Sequence, residues 1–332
     1  MSWSSVLAAA GYWDGGDLLR VPTSGTTGGA PRTVLRSVRS WTDSFAPFTR
    51  ATGITADDTV LATGPATSLF VYARAHAAAL GARVVAEHSW RAGLVEQATV
   101  AHLTPTMLGD VLDAWDDGDG RGSLRLVVVA GAALAPALRE RAVDSGLGVV
   151  EYYGAAELSF VALGRGRLAP FEGVEVESRD GVLWVRSPWT ALGYADGASG
   201  PLRVDGRWCT VGDRGAVAGD GAVCVHGRPG LVTSGGRSVV TADVEAVLRR
   251  APGVVDCAVL GVPHDRLGEI LAAVVVGGAR DEVGAHCRRL LPREQRPVLW
   301  FAADRIPATA TGKPDLAALR ESILAGELAR WR

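Results

Sequence analysis

The sequence predicts an α/β protein with a large N-terminal domain, built on a parallel sheet plus a β-rich portion, and a smaller α+β C-terminal domain. Three observations predict it. Short apolar blocks alternate with Ala/Leu-rich stretches of helical length through the first half of the chain. Glycine-punctuated strands crowd residues 174–225, where Asp-Gly recurs as a hairpin signal. Mixed helix and strand texture then resumes after residue 236. The natural division falls near residue 228, giving domains 1–227 and 228–332.

Element by element, Ser2 to Ala10 can form one helix, and Asp17 to Val21 reads as a strand feeding the Gly/Thr-rich stretch Thr23 to Arg32. Strands follow at Asp58 to Thr63, Ala82 to Ala86, Val100 to Leu103, Leu124 to Val129 and Gly148 to Glu151, with helices at Tyr72 to Leu80 and Pro136 to Ser145. In the second domain we expect a helix at Ala242 to Arg250, strands at Val254 to Val262 and Ile270 to Val276, a helix at Glu282 to Leu291, and a last helix from Leu316 to the end.

Composition narrows the function. Hydrophobic residues make up 48% of the 332 and charged residues 21%, with a formal net charge of -2. Such a chain supports a large core and lacks the clustered basic field that a nucleic acid or an anionic membrane would need. Cys209, Cys224, Cys257 and Cys287 form no CxxC pair, and the six histidines show no metal-ligand spacing, so neither zinc nor a redox motif is expected. The thiols read as reduced and mostly buried, and His76 as a core or surface imidazole. The N-terminal residues carry no basic leader, and no stretch approaches the ~20 apolar residues of a membrane span. We expect a cytoplasmic protein with neither nucleic-acid nor membrane partners.

The most informative stretch is Thr23-Ser24-Gly25-Thr26-Thr27-Gly28-Gly29-Ala30-Pro31-Arg32. Its glycines let backbone N–H groups approach a polyphosphate, the hydroxyls of Ser24, Thr26 and Thr27 can donate to phosphate oxygens, and Arg32 adds positive charge. Taken alone, the same residues describe an ordinary flexible turn equally well.

This stretch resembles the phosphate-loop signature of the adenylate-forming (AMP-binding) superfamily, and further signatures follow in order. They are Tyr152-Tyr153-Gly154-Ala155-Ala156-Glu157; Asp180 to Pro188 with Gly193-Tyr194; Gly206 to Gly215; His226-Gly227-Arg228 with Ser234-Gly235-Gly236; and Pro307 to Lys313. The chain is similar to an acyl-CoA synthetase-like member that is shortened at its N-terminus.

The resemblance implies a role for each matching residue. Tyr153 would stack on adenine, within a nucleotide-contacting run from Tyr152 through Gly154 and Ala155 to Ala156. Glu157 would hold Mg²⁺, Asp213 would accept the ribose hydroxyls, and Arg228 would support the nucleotide from the domain junction. Lys313, Thr26 and Glu157 would act in the chemistry, Lys313 by stabilising charge at the α-phosphate. Gly131, Ala132 and Ala133 would lie beside adenine and the acyl pocket, and Gly235 and Gly236 near the pantetheine of coenzyme A. In isolation Asp213 is more often a turn residue, Glu157 a solvated carboxylate at a helix start, Lys313 a surface lysine and Tyr153 a core ring; the ordered set of motifs reverses that reading.

The pattern is modified in places. The loop carries an extra residue before Pro31 and ends in Arg32 where the family has lysine. Ala156 replaces a phosphate-binding threonine, and Pro229 and Gly230 stand where relatives have the hinge aspartate about which the C-terminal domain rotates. The implied activity is an AMP-forming ligase: a small carboxylic acid, ATP and Mg²⁺ give an acyl-adenylate and pyrophosphate, and the acyl group passes to coenzyme A. The alternatives are a loader of an acyl-carrier protein and a non-catalytic nucleotide- or partner-binding protein. The late position of the phosphate loop suggests apolar surface left uncovered, and hence a homodimer.

Overall fold

The computed structural model describes residues 2–23, 32–64, 66–87, 89–131, 134, 136–227, 230–307 and 314–331. These form two compact units, one ending at residue 227 and one beginning at residue 230.

The first unit opens with helix α1 (Trp3–Ala9), capped reciprocally by Ser2 and Ser5, and with the antiparallel hairpin β1 (Leu18–Pro22) and β2 (Thr33–Ser37). After α2 (Arg39–Thr42) and α3 (Phe45–Thr52), strands and helices alternate: β3 (Thr59–Leu61), α4 (Ser68–Leu80), β4 (Arg83–Val85), β5 (Val100–Leu103), α5 (Pro105–Asp116), β6 (Leu126–Val129), α6 (Pro136–Asp144) and β7 (Gly148–Ala155). The punctuation is local. Gly53 and Gly81 end α3 and α4 in the left-handed conformation, and Thr104 caps α5, with Pro105 in its first turn. The strands assemble in the order β4-β3-β5-β6-β7 as a parallel sheet, extended antiparallel by β8 (Ser159–Gly164) and β9 (Ala169–Pro170).

Strand periodicity sorts the core. Val60, Val100, Leu126, Val128 and Val150 point to one face, against α3 and α4, while Leu61, Ala101, Leu103, Val127, Val129 and Val149 point to the other, against α5 and α6. The β-rich portion is one antiparallel sheet of β10 (Glu175–Arg179), β11 (Val182–Arg186), β13 (Arg203–Asp205), β14 (Trp208–Thr210), β15 (Arg214–Val217) and β16 (Val223–Gly227). Strand β12 (Gly193–Tyr194) leaves this sequence neighbourhood and pairs with β2, making a separate three-stranded sheet.

The second unit is α+β. Its sheet runs β18-β17-β20-β19, from β17 (Leu231–Ser234), β18 (Arg237–Val240), β19 (Val254–His264) and β20 (Gly268–Gly277), with β21 (Leu299–Ala302) parallel to β20. Helices α7 (Thr241–Leu248) and α8 (Arg280–Leu290) pack on one face, and α9 (Leu316–Leu324) on the other. The expected terminal helix stops at Leu324. Gly326 turns the chain at φ 75° and Arg330 bridges to Phe301, so the last residues add to the sheet edge instead of extending the helix.

Among the described residues no helix is long and apolar enough to cross a membrane. Cys257 and Cys287 are buried, Cys209 is half-buried and Cys224 is exposed, so burial of the thiols is confined to the second unit's core.

Candidate functional site

The site grows from the carboxyl ends of the parallel strands, where open α/β sheets hold their ligands. Strand β7 runs on through Tyr152, Tyr153, Gly154 and Ala155, then turns sharply over Ala156, Glu157 and Leu158 into β8. Gly154 sits at an irregularity in this hairpin where a Cβ would collide with the Ser159 carbonyl oxygen, so the turn is closed by backbone against backbone.

Successive residues of β7 point to opposite faces. The Tyr152 ring packs against Phe160 at 4.7 Å between centroids, and burial pushes its hydroxyl pKa up. Tyr153 instead donates its hydroxyl hydrogen to Asp213 Oδ2 at 2.7 Å. Asp213, 9% exposed, precedes β15, with Gly212 before it at φ 83° and the Gly212 N–H bound to Thr210 Oγ1 at 3.0 Å.

Glu157 is 7% exposed, and its Oε1 accepts the Tyr194 hydroxyl hydrogen at 2.8 Å. Tyr194 lies on β12, paired with Val34 of β2, and its hydroxyl also accepts from the Leu202 N–H at 3.1 Å. Burial, then the neighbouring Glu157 charge, raises the Tyr194 pKa, while the Arg32 charge opposes both. Arg32 and Thr23 close the stem of the Gly/Thr-rich loop, the Thr23 N–H donating to the Arg32 carbonyl at 2.8 Å. Behind Glu157 the Arg36 guanidinium donates to the carbonyl oxygens of Ala156 and Trp189.

The fold therefore gathers Thr23, Arg32, Tyr153, Gly154, Ala155, Ala156, Glu157 and Asp213 onto hairpins linked by strand pairing and side-chain bonds. Gly131 lies just beyond β6 at φ 91°, where a side-chain Cβ would face Thr104 and Leu69. Gly235 and Gly236 belong to the second unit, where φ of 54° and 78° makes the tight two-residue turn between β17 and β18. Ser24, Gly25, Thr26, Thr27, Gly28, Ala132, Ala133, Arg228 and Lys313 lie outside the described residues. Sequence reasoning missed Arg36 and gave Tyr194 no role. The signal for Arg36 was a cation at an inward position of the alternating strand β2.

Glu157 offers a hard cation one carboxylate oxygen. Among the described residues Glu157 Oε2 receives no hydrogen bond, and no group of three or more His, Cys, Asp or Glu could hold a metal. A cation here would take one carboxylate oxygen and complete its shell with water and phosphate oxygens, as Mg²⁺ prefers.

The parallel sheet thus ends in a hairpin that carries Glu157 and ties Tyr153 to Asp213 at the entry to β15, an α/β fold with its polar groups gathered at the carboxyl ends of the strands. Residues 19–195 match the family model of AMP-binding enzymes and residues 243–313 that of the AMP-binding enzyme C-terminal domain. The chain belongs to the AMP-binding enzyme family.

Among its relatives, an uncharacterized acyl-CoA ligase of Bacillus subtilis is 30% identical over 88% of this chain, which spans 65% of that protein's length. A feruloyl-CoA synthase of Amycolatopsis is 31% identical over 93% of this chain and 68% of its own. Among solved structures, an amide bond synthetase from Marinactinospora thermotolerans is similar with a TM-score of 0.75 and 27% identity, covering 92% of this chain and 69% of that one.

Proposed function

We propose that the protein is an AMP-forming acid–thiol ligase. The carrying observation is the joined geometry of Glu157–Tyr194 and Tyr153–Asp213 beside the stem of the Gly/Thr-rich loop. The acyl-CoA ligase relatives support it.

In this reading the loop residues Ser24, Gly25, Thr26, Thr27 and Gly28 hold the phosphates, Tyr153 stacks on adenine and Asp213 takes the ribose hydroxyls. Glu157 holds Mg²⁺, which when bound neutralises phosphate charge. A carboxylate oxygen of the acid attacks the α-phosphorus; the bond from that phosphorus to the bridging α–β oxygen breaks, and pyrophosphate leaves with its electron pair. Lys313 stabilises the charge that develops. A thiolate then attacks the acyl carbonyl carbon and AMP departs. Residues 228–332 act as the mobile domain, turning at Arg228 and Pro229 between the two steps. Coenzyme A is the proposed thiol.

A second reading concerns only the acceptor. The amide bond synthetase neighbour favours an amine in place of the thiol, with the same adenylation.

The deciding experiment is pyrophosphate release from ATP and Mg²⁺ across aliphatic, aryl and hydroxycinnamic acids, with coenzyme A, a carrier protein or simple amines as acceptors. Acid-dependent release abolished in Lys313→Ala supports the ligase, and the acceptor that raises turnover names the second step. ATP binding without release on any acid overturns it.

A further inference from the structure

Strand β2 alternates strictly, so Val34 and Arg36 both face inward, and an apolar side chain is what the pattern asks for at position 36. The arginine there is 1% exposed. Burying a guanidinium is costly before compensation, and its retention calls for specific partners. It has three. Nε donates to Ser40 Oγ at 3.2 Å, and the two terminal nitrogens donate to the carbonyl oxygens of Ala156 and Trp189.

Those two carbonyls lie on the two chain segments that meet at Glu157. Ala156 immediately precedes it. Trp189 begins the segment whose Ala191 N–H donates to the Glu157 carbonyl at 2.7 Å and whose Tyr194 hydroxyl donates to the Glu157 carboxylate. The same segment is zipped to β2 by the Leu192 N–H on the Leu35 carbonyl at 2.8 Å and by β12 pairing. One planar fork thus spans both arms of the clasp around a single carboxylate, from a strand that starts at the stem of the Gly/Thr-rich loop. Lysine could not reproduce it, having a single rotatable ammonium in place of a rigid fork. Burial lowers the Arg36 pKa to about 10 and the neighbouring Glu157 charge opposes it, so the guanidinium stays charged at neutral pH.

We infer that Arg36 is the positioning residue for Glu157, fixing the carboxylate oxygen offered to the divalent cation. This rests on the reading of Glu157 as the cation's protein ligand. Arg36 touches neither nucleotide nor acid; it acts through the two backbone carbonyls.

The test is Mn²⁺ binding to the ATP-saturated protein, followed by electron paramagnetic resonance, with metal-free ATP affinity measured beside it by calorimetry. Wild type, Glu157→Gln, Arg36→Lys and Arg36→Met are compared. Removing a group that orients a ligand costs about 10–100-fold in metal affinity, so Arg36→Met is expected to lose about tenfold and Arg36→Lys about threefold, with metal-free ATP affinity within about twofold of wild type. Should Arg36→Met fail to fold, Arg36→Lys decides alone by the same criterion. Wild-type metal affinity in the folded Arg36 variants overturns the inference, as does an equal loss of metal-free ATP binding, which would mark a general structural role. Glu157→Gln separates the layers: unchanged Mn²⁺ affinity in that variant defeats the reading of Glu157 itself.

Discussion

The Tyr153 hydroxyl donates to Asp213 Oδ2 at 2.7 Å, tying the end of the parallel sheet to the turn that opens β15 in the β-rich sheet. The phenol ring and the carboxylate are thereby oriented by each other. In Tyr153→Phe the ring remains and the tether goes, so ATP affinity is expected to fall about threefold to tenfold, the equivalent of one hydrogen bond of about 1 kcal/mol. Tyr153→Ala should fall further because the ring is lost as well. Calorimetric titration of the three proteins with ATP checks this order.

Tyr194 serves two partners at once, donating to Glu157 and accepting from the Leu202 N–H. Phenylalanine at this position strands a half-buried amide and strips a buried carboxylate of its donor. We expect Tyr194→Phe to lose about 1–3 kcal/mol of stability in urea unfolding, more than a surface Tyr→Phe change would cost.

Gly154→Ala places a methyl group against the Ser159 carbonyl oxygen, where only backbone movement can make room. A loss of about 1–3 kcal/mol is expected, together with weaker ATP binding, because the same hairpin carries Tyr153 and Glu157. Gly146→Ala, at a turn with nothing within 4 Å of a built Cβ but with φ of 87°, is the control for strain without collision.

Two imidazoles of the first unit's core set an acid limit. His102 on β5 is 1% exposed, both its ring nitrogens lack a hydrogen-bond partner among the described residues, and burial pulls its pKa down to about 3. His76 on α4, with Nε2 at 2.8 Å from Thr49 Oγ1, is pulled down to about 4 by burial. Both stay neutral in the folded chain, whereas the unfolded chain takes up protons below about 6.5. Unfolding therefore binds protons, and stability falls as pH drops from about 6.5 toward 4, by roughly 2 kcal/mol per histidine between pH 7 and pH 5. His102→Leu should flatten this dependence without loss of stability at pH 7, as urea unfolding at the two pH values will show.

Thiol reactivity follows burial. In the native protein at pH 8 Cys224 should react first with Ellman's reagent and Cys209 more slowly, while Cys257 and Cys287 react only on unfolding. For Cys257, burial also raises the thiol pKa to about 12, against the nearby Arg249 charge. Timed labelling with mass spectrometry resolves the order.

The elements legible in the sequence were those whose pattern is local. The apolar blocks at Val100–Leu103 and Gly148–Glu151 became parallel strands, and the glycine-turn texture after Val174 became the antiparallel sheet. Helix α5 was legible and overlooked: Thr104-Pro105 is a cap and first-turn signal, followed by Leu108, Val111, Leu112 and Trp115 on one face. Strands β8, β17 and β18 were missed because alternation is weak there and pairing partners supply the order. The ordered motifs pointed to Glu157, Tyr153 and Asp213, but could not show what holds each one. Tyr194 lies 37 residues from Glu157, and Arg36 lies 120 residues from Ala156, so their contacts exist only once the chain is folded.

The pairing of β12 with β2 joins Gly193 to Leu35 across roughly 160 residues of chain. Closing so long a loop is slow, and contacts of this separation follow the local hairpins in time. The clasp around Glu157 is therefore among the last parts of the first unit to form. During synthesis the β1–β2 hairpin that closes the stem of the Gly/Thr-rich loop can form early, whereas the Glu157 carboxylate waits for Tyr194, 37 residues further on, before it is held.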